Sequence, residues 1–409
     1  MRYALVLVAV VACGGGGDDA SPDVDATPPP SGFVDVRVEG TLGHPLANLA
    51  VVFNAPNGDV ITLETTDADG RVRADIVEGS STTAIQYIPN YPGFLTSVLS
   101  INPGDDITIS SGSADTTQIG HFTVTFDTLP DAGVYDVFGP CTVTSSTTTT
   151  VIIPIVAACP VTSLDLTVVA GGPLGPLSGG YLRKLAVPYQ DGGSTFISGA
   201  WNAPIHVATT YTNVPSLRDW SASRSGVGAD VNSTITSSST GTPPLLASEF
   251  VTPPTDLAVM SSWWGISGTQ SHHQRTVVVD GAATSLEIDV GSGLPALDGI
   301  AFDATTATFT KPDTGPVDVT YVELEYHHAG SGHIWDVYGP ALTSFTLPQL
   351  PAQFPLYPGP GDDGGALVRI VEASHIAGYA TARQNPVEVV NSPYRLAPLG
   401  TTTDTTISY

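Results

Sequence analysis

Val34-Asp35-Val36-Arg37-Val38-Glu39 decides the fold class of this chain. Valine alternates with charge at every step, so one face is apolar and the other wet, the period-2 signature of a half-buried strand. Phe122-Thr123-Val124-Thr125-Phe126 repeats the alternation. The competing pattern is missing: no stretch keeps an apolar 3.6-residue period for three turns, and the helix formers Lys, Glu, Gln and Met are scarce. With 43 glycines, 34 prolines and abundant Thr and Val, the composition is that of an all-β protein. Turn signals recur at short intervals, at Pro56-Asn57-Gly58, Asp69-Gly70, Asn102-Pro103-Gly104, Asp191-Gly192-Gly193 and Asp280-Gly281. Short strands so punctuated indicate β-sandwiches, and 409 residues suffice for two to four domains.

The first domain is expected over residues 33–114. After the Val34 strand come Gly43-His44-Pro45-Leu46-Ala47-Asn48-Leu49-Ala50-Val51-Val52-Phe53, a turn at Asn57-Gly58, and a strand around Val60 to Thr65. Thr66-Asp67-Ala68-Asp69-Gly70-Arg71 then leads into Val72-Arg73-Ala74. From about Phe33 to Ser110 this resembles the carboxypeptidase regulatory-like domain, a small transthyretin-like sandwich without catalytic residues. Asp67 and Asp69 also open like an EF-hand loop, but Arg71 and Val72 stand where that loop needs a ligand and a glycine. Ordinary turn chemistry is therefore expected, with Asp starting the turn and Gly70 supplying a positive φ.

At the N-terminus, Arg2 precedes an apolar run from Ala4 to Ala12, too short to span a bilayer, and Cys13 and four glycines follow. Val10-Val11-Ala12-Cys13 resembles the lipobox of bacterial lipoproteins, departing from its commonest form by Val10 in place of leucine. The resemblance implies removal of residues 1–12, lipidation of Cys13 and, with Gly14 rather than aspartate next, retention at the outer membrane. Several acyl chains, at about 0.8 kcal/mol per buried CH2, would make that anchor essentially permanent. Residues 13–32 hold one large aliphatic, Val24, and read as a tether whose nineteen residues beyond the cysteine reach roughly 24 Å. With Cys13 taken by lipid, Cys141 and Cys159 form an even pair in an oxidising compartment and are expected to be a disulfide. Its loop of about eighteen residues contributes roughly 3 kcal/mol by the chain-entropy estimate.

A middle β region is expected over residues 115–293, as one domain or two, and an immunoglobulin- or fibronectin-like domain over 294–409. That makes about three sandwiches in series. Val134-Tyr135-Asp136-Val137-Phe138-Gly139-Pro140 matches Ile334-Trp335-Asp336-Val337-Tyr338-Gly339-Pro340 in order of residue type, which implies two copies of one sandwich motif.

Thirteen basic against thirty-nine acidic residues give a net charge of −26, which repels nucleic acid and anionic lipid head groups. Contact with the membrane is thus expected through the lipid anchor only. Gly-x-Ser-x-Gly, His-Glu-x-x-His and P-loop motifs are missing. Gly359, Gly361 and Gly364 satisfy a dinucleotide fingerprint formally, but Asp362 and Asp363 would repel a pyrophosphate and a strand follows. The densest constellation is Asp318 to His328, where a strand puts Glu323, Glu325 and His327 in one row opposite Val322, Leu324 and Tyr326. That row reads as an exposed polar face and is the one weak candidate for a divalent metal. No cofactor is expected. Trp201, Trp220 and Trp263-Trp264 raise a sugar-stacking alternative, with core packing the preferred reading. The expected role is a non-enzymatic, binding or structural, adhesion-like element of the cell envelope facing a protein or glycan ligand. A carbohydrate-binding protein and a hydrolase with an unrecognised triad are the alternatives.

Overall fold

A computed structural model of the chain describes residues 31–40, 43–87, 93–111, 118–139, 142–157, 161–172, 175–214, 217–227, 233–235, 246–252, 255–266, 268–291, 293–328, 330–391 and 397–408. Among them, twenty-eight strands and two short helices fall into four sandwiches of seven strands. The first holds β1 (Ser31–Gly40), β2 (Ala50–Asn54), β3 (Val60–Thr65), β4 (Arg71–Val77), β5 (Ser80–Gln86), β6 (Gly93–Ile101) and β7 (Asp106–Ser111). The second holds β8 (Gln118–Phe126), β9 (Val134–Gly139), β10 (Thr142–Ser146), β11 (Thr150–Val156), β12 (Ser163–Gly172), β13 (Gly175–Pro188) and β14 (Gly193–Ile197). The third holds β15 (Ile205–Thr212), β16 (Leu217–Val227), β17 (Ser233–Ile235), β18 (Leu246–Thr252), β19 (Leu257–Ile266), β20 (His272–Asp280) and β21 (Ser285–Asp289). The fourth holds β22 (Ala301–Asp303), β23 (Thr308–Thr310), β24 (Val319–His328), β25 (Ser331–Gly339), β26 (Ser344–Thr346), β27 (Asp363–Ala373) and β28 (Thr402–Ser408), with α1 (Tyr379–Ala382) and α2 (Pro386–Asn391).

The alternation at Val34 to Glu39 does what the sequence implies: Val34, Val36 and Val38 are fully buried and their charged neighbours are not. The strand begins at Ser31, two residues inside the segment expected as tether. In the turn before β4, Asp67 Oδ1 accepts the amides of Asp69 and Arg71 at 2.9 and 2.8 Å. Gly70 has φ +71°, and a Cβ there would stand 2.4 Å from the Val38 carbonyl, so only glycine fits.

The first three sandwiches share one topology. In each, the first strand lies between the fourth and the seventh, the seventh parallel to it, and the facing sheet runs third, second, fifth, sixth. The middle region thus holds two sandwiches, dividing between β14 and β15, which brings the series to four. The fourth differs: its sheets run first, second, fifth and fourth, third, sixth, seventh, with every pairing antiparallel. This is an immunoglobulin-type sandwich whose fourth strand has joined the sheet of the third, sixth and seventh.

The two segments of the internal echo occupy β9 and β25, and both run half-buried, buried, half-buried, then buried to the glycine. They are nevertheless the second strand of one topology and the fourth of another. The echo marks a shared in-and-out code rather than a repeated domain, which corrects the sequence reading.

The fourth sandwich does not hang at the end of a string. Both edges of its larger sheet are taken: β25 pairs in parallel with β6 of the first sandwich, and β28 pairs antiparallel with β20 of the third. One twelve-stranded sheet results, in the order β17-β16-β19-β20-β28-β27-β24-β25-β6-β5-β2-β3. Of its first-sandwich strands, β2, β5 and most of β6 are buried on both faces, while the edge strand β3 is not. Val51, Phe53, Val98 and Ile101 pack toward β1, while Val52, Ile85, Leu95 and Leu99 join Trp335, Val337, Leu347 and Phe309 in the core of the fourth. That double burial explains why Ser80 to Ile85 are buried without alternation.

Candidate functional site

On β24 the pleat places Val322, Leu324 and Tyr326 in the core and Glu323, Glu325 and His327 on the opposite face. Ala382, Val389 and Val390 of the two helices cover that face over Val319, Tyr321, Tyr338 and Val371. The cover stops short of Glu323, so Glu325 and His327 are exposed. The three do not act as a set. Glu323 Oε2 accepts the Tyr321 hydroxyl at 2.8 Å, and His327 Nδ1 lies 3.5 Å from Asp363 Oδ1. Glu325 and Glu323, with Gly365, Ala366 and Leu367, line an open depression of about 420 Å³. Among the described residues no three His, Cys, Asp or Glu gather closely enough to hold a metal.

Beside the depression the fold assembles a group that pattern reading missed. The Tyr321 hydroxyl stands 2.8 Å from both Glu323 Oε2 and Asp336 Oδ1. It carries one hydrogen, so both contacts are hydrogen bonds only when a carboxyl holds a proton. Burial pushes Asp336 up to about 6, against the Tyr321 hydrogen bond, with Glu323 adding to the rise and Arg369 opposing it. Arg369 lies 5.5 Å from the centre of the Tyr321 ring and donates to Asn391 Oδ1 at 3.2 Å. The group can hold one proton below about pH 6, beside the Glu323 depression. Its signal in the sequence was Tyr321, two residues before Glu323 and hence on its face, together with the aspartate of the echo.

The second concentration of polar chemistry lies in the two seams of the long sheet. Toward the first sandwich, Trp335 Nε1 donates to Ser97 Oγ at 2.8 Å, and Ser97 shares a 2.7 Å hydroxyl contact with Thr83. His333 Nδ1 accepts the Gly93 amide at 3.0 Å, so its ring is neutral, and burial lowers its pKa. Arg383 grips Asp105 with two nitrogens at 2.8 and 2.9 Å and donates to the Ser100 carbonyl at 3.0 Å. The Tyr379 hydroxyl donates to Leu99 O at 2.7 Å. Toward the third sandwich, Arg275 forms a two-pronged pair with Asp404 at 2.6 and 2.7 Å, and Thr406 Oγ1 meets His273 Nδ1 at 3.0 Å. Each seam therefore spends one of the chain's few arginines on a carboxylate, Arg275 through a two-pronged fork and Arg383 through one hydrogen bond from Nη2 with Nε close by.

Four of the five tryptophans serve cores. Trp335, Trp264 and Trp220 are buried, Trp201 packs its ring against Phe126 and Tyr135, and Trp263 is half-buried on the side of β19 away from Trp264. Cys13, Cys141 and Cys159 lie outside the described residues, as do the signal and most of the tether.

No protein-family model matches the chain, and no curated protein does. Among solved structures, the TIE protein of Bacillus anthracis is similar at 10% identity and a TM-score of 0.18, over 63% of this chain and 49% of its own. The chain thus spans about half the length of that protein. The shaft pilin of Lactobacillus rhamnosus GG is similar over 44% of this chain and 100% of its own, at 9% identity and a TM-score of 0.16. For the major pilin subunit of Bacillus cereus the shares are 64% and 99%, the identity 8% and the TM-score 0.17. Likenesses this loose leave the reading of function to the chain's own residues.

Proposed function

We propose that this chain is a lipid-anchored outer-membrane protein whose four sandwiches form a non-enzymatic, adhesion-like structural element. The observation that carries the structural half is the pairing of β25 with β6 and of β28 with β20. Domains meant to move past one another meet through small polar interfaces, whereas here three sandwiches share one hydrogen-bonded sheet and, in part, one core. Such a body holds its surfaces at fixed distances from a single tether. The anchoring half rests on the lipobox-like Val10-Val11-Ala12-Cys13 and the acidic Gly/Pro-rich stretch behind it. The proton-sharing group at Tyr321 is tied up with its own neighbours, which suits a structural role.

Mass spectrometry and membrane fractionation of the wild type and Cys13→Ala test the reading. The wild type is expected to carry acyl mass and sediment with outer membranes, and Cys13→Ala to be released. A wild-type chain without acyl mass, released as readily as the variant, would overturn it.

A further inference from the structure

Where the first and fourth sandwiches meet, the structure leaves a cleft of about 330 Å³, within the range of small-molecule sites and at the kind of domain junction where they concentrate. Its first-sandwich wall is the β2–β3 turn, with Asn57 and Gly58, and the end of the β5–β6 pair. Its other wall is the segment from Phe345 to Gln349, with Tyr357.

Three observations set this cleft apart from a gap between domains. The rim is pinned: Asn54 Nδ2 donates to Gly58 O at 2.9 Å on one wall and to Gln349 O at 2.8 Å on the other, and the Gln349 amide returns to Gly58 O at 3.1 Å. The floor is strained. Ser80 pairs with Ile101 and Thr82 with Val98, so Leu99 and Ser100 bulge opposite Ser81, and Ser100 takes φ +54°, a left-handed conformation unusual for serine. All three residues line the cleft, and the bulge is held from behind by Tyr379 and Arg383. Finally, the lining is uncharged. In a chain of net charge −26, no Asp, Glu, Lys, Arg or His among the described residues lines it, and its polar lining residues are Ser81, Ser100, Thr346, Asn57 and Gln349.

A site without charge gives no counter-ion to an anion, and one without carboxylates none to a cation. Hydroxyls and amides beside the half-buried rings of Phe345 and Tyr357 suit a ligand with polar edges and C–H faces. We infer that this cleft binds a short neutral saccharide. The site stands independently of the lipid anchor, since none of its residues belongs to the N-terminal segment.

The test titrates the detergent-solubilised full chain with neutral trisaccharides (maltotriose, cellotriose, triacetylchitotriose and mannotriose), with galacturonic acid trimer and a neutral tripeptide as further arms. Binding is read by saturation-transfer NMR and calorimetry. Thr346→Trp fills the cleft from an exposed position, and Gln349→Ala removes a side chain while leaving the backbone rim. At least one neutral sugar is expected to bind, with affinity falling about tenfold in Gln349→Ala, the loss of one well-made hydrogen bond. Binding should vanish in Thr346→Trp while that variant's melting temperature stays at the wild-type value. Failure of every neutral sugar, binding that survives Thr346→Trp, or preference for the acidic sugar or the peptide would overturn the assignment.

Discussion

β6 and β13 hold the same place in their sandwiches, as sixth strand and outer edge of a four-stranded sheet, and they meet opposite fates. β6 is covered by β25 from Gly93 to Val98, and its counterpart β20 in the third sandwich is covered by β28. β13 receives, among the described residues, only the isolated bridge between Tyr181 and Asn202. The strands differ in how they are built. β13 slips register twice against β12, holds Ala186 at φ +52° with its amide on Asp165 Oδ1 at 2.6 Å, and carries Arg183-Lys184 mid-strand. β20 pairs with β19 without a shift, and the bulge of β6 at Ser100 comes after its contact with β25 has ended. Bulges and lysine are the usual means of spoiling a sheet edge. The molecule thus treats one hazard in two ways: it covers the edges that join sandwiches and blunts the one that does not.

The largest effect should come from uncovering β6. Trp335 is fully buried, so Trp335→Ala is expected to cost about 3–5 kcal/mol in denaturant unfolding and to leave Ser97 without its indole donor. At the other seam, Arg275→Ala strands Asp404 in a partly buried site and should cost about 3 kcal/mol, with Arg275→Lys recovering only part because it cannot make the fork.

Next comes a pH effect on β25 itself. Asp336 titrates higher in the fold than in the open chain, so the folded state holds the extra proton between the ordinary carboxylate range and about pH 6. The stabilisation is complete below that range and is lost as pH rises through about 6. Asp336→Asn stays neutral throughout, so it should exceed the wild type above pH 6 by about 1–3 kcal/mol, each tenfold rise in proton affinity on folding being worth about 1.4 kcal/mol. The gap should close near pH 4, which thermal melts across that window would show. The smallest change in stability is expected at the blunted edge: Lys184→Val should stay within about 0.5 kcal/mol of wild type. It should nevertheless bring concentration-dependent association in light scattering, since it removes the guard while Leu185 remains exposed.

What was legible in the sequence was what neighbours along the chain decide. The valine alternation of β1, the Asp67–Gly70 turn and the face shared by Glu323, Glu325 and His327 all follow from local sterics and the pleat. So does the identical burial of β9 and β25, yet their aspartates part company. Asp136 accepts an exposed Ser145 hydroxyl at 2.6 Å, and Asp336 is enclosed with Tyr321 and Glu323. The difference comes from strands paired elsewhere, which seven residues cannot encode. The seams were invisible for the same reason, since the Gly93–His333 hydrogen bond joins residues 240 positions apart. The two helices, of four and six residues, are too short to print a 3.6-residue period.

Site-resolved native-state hydrogen exchange of β6 and β25 tests the shared sheet most directly. Amides from Leu95 to Val98 and from Ile334 to Tyr338 should open together, with the same free energy and the same denaturant dependence, and Trp335→Ala should lower both sets. The shared sheet is contradicted if β6 exchanges in step with β2 and β5 alone while β25 stays closed with β24 and β27.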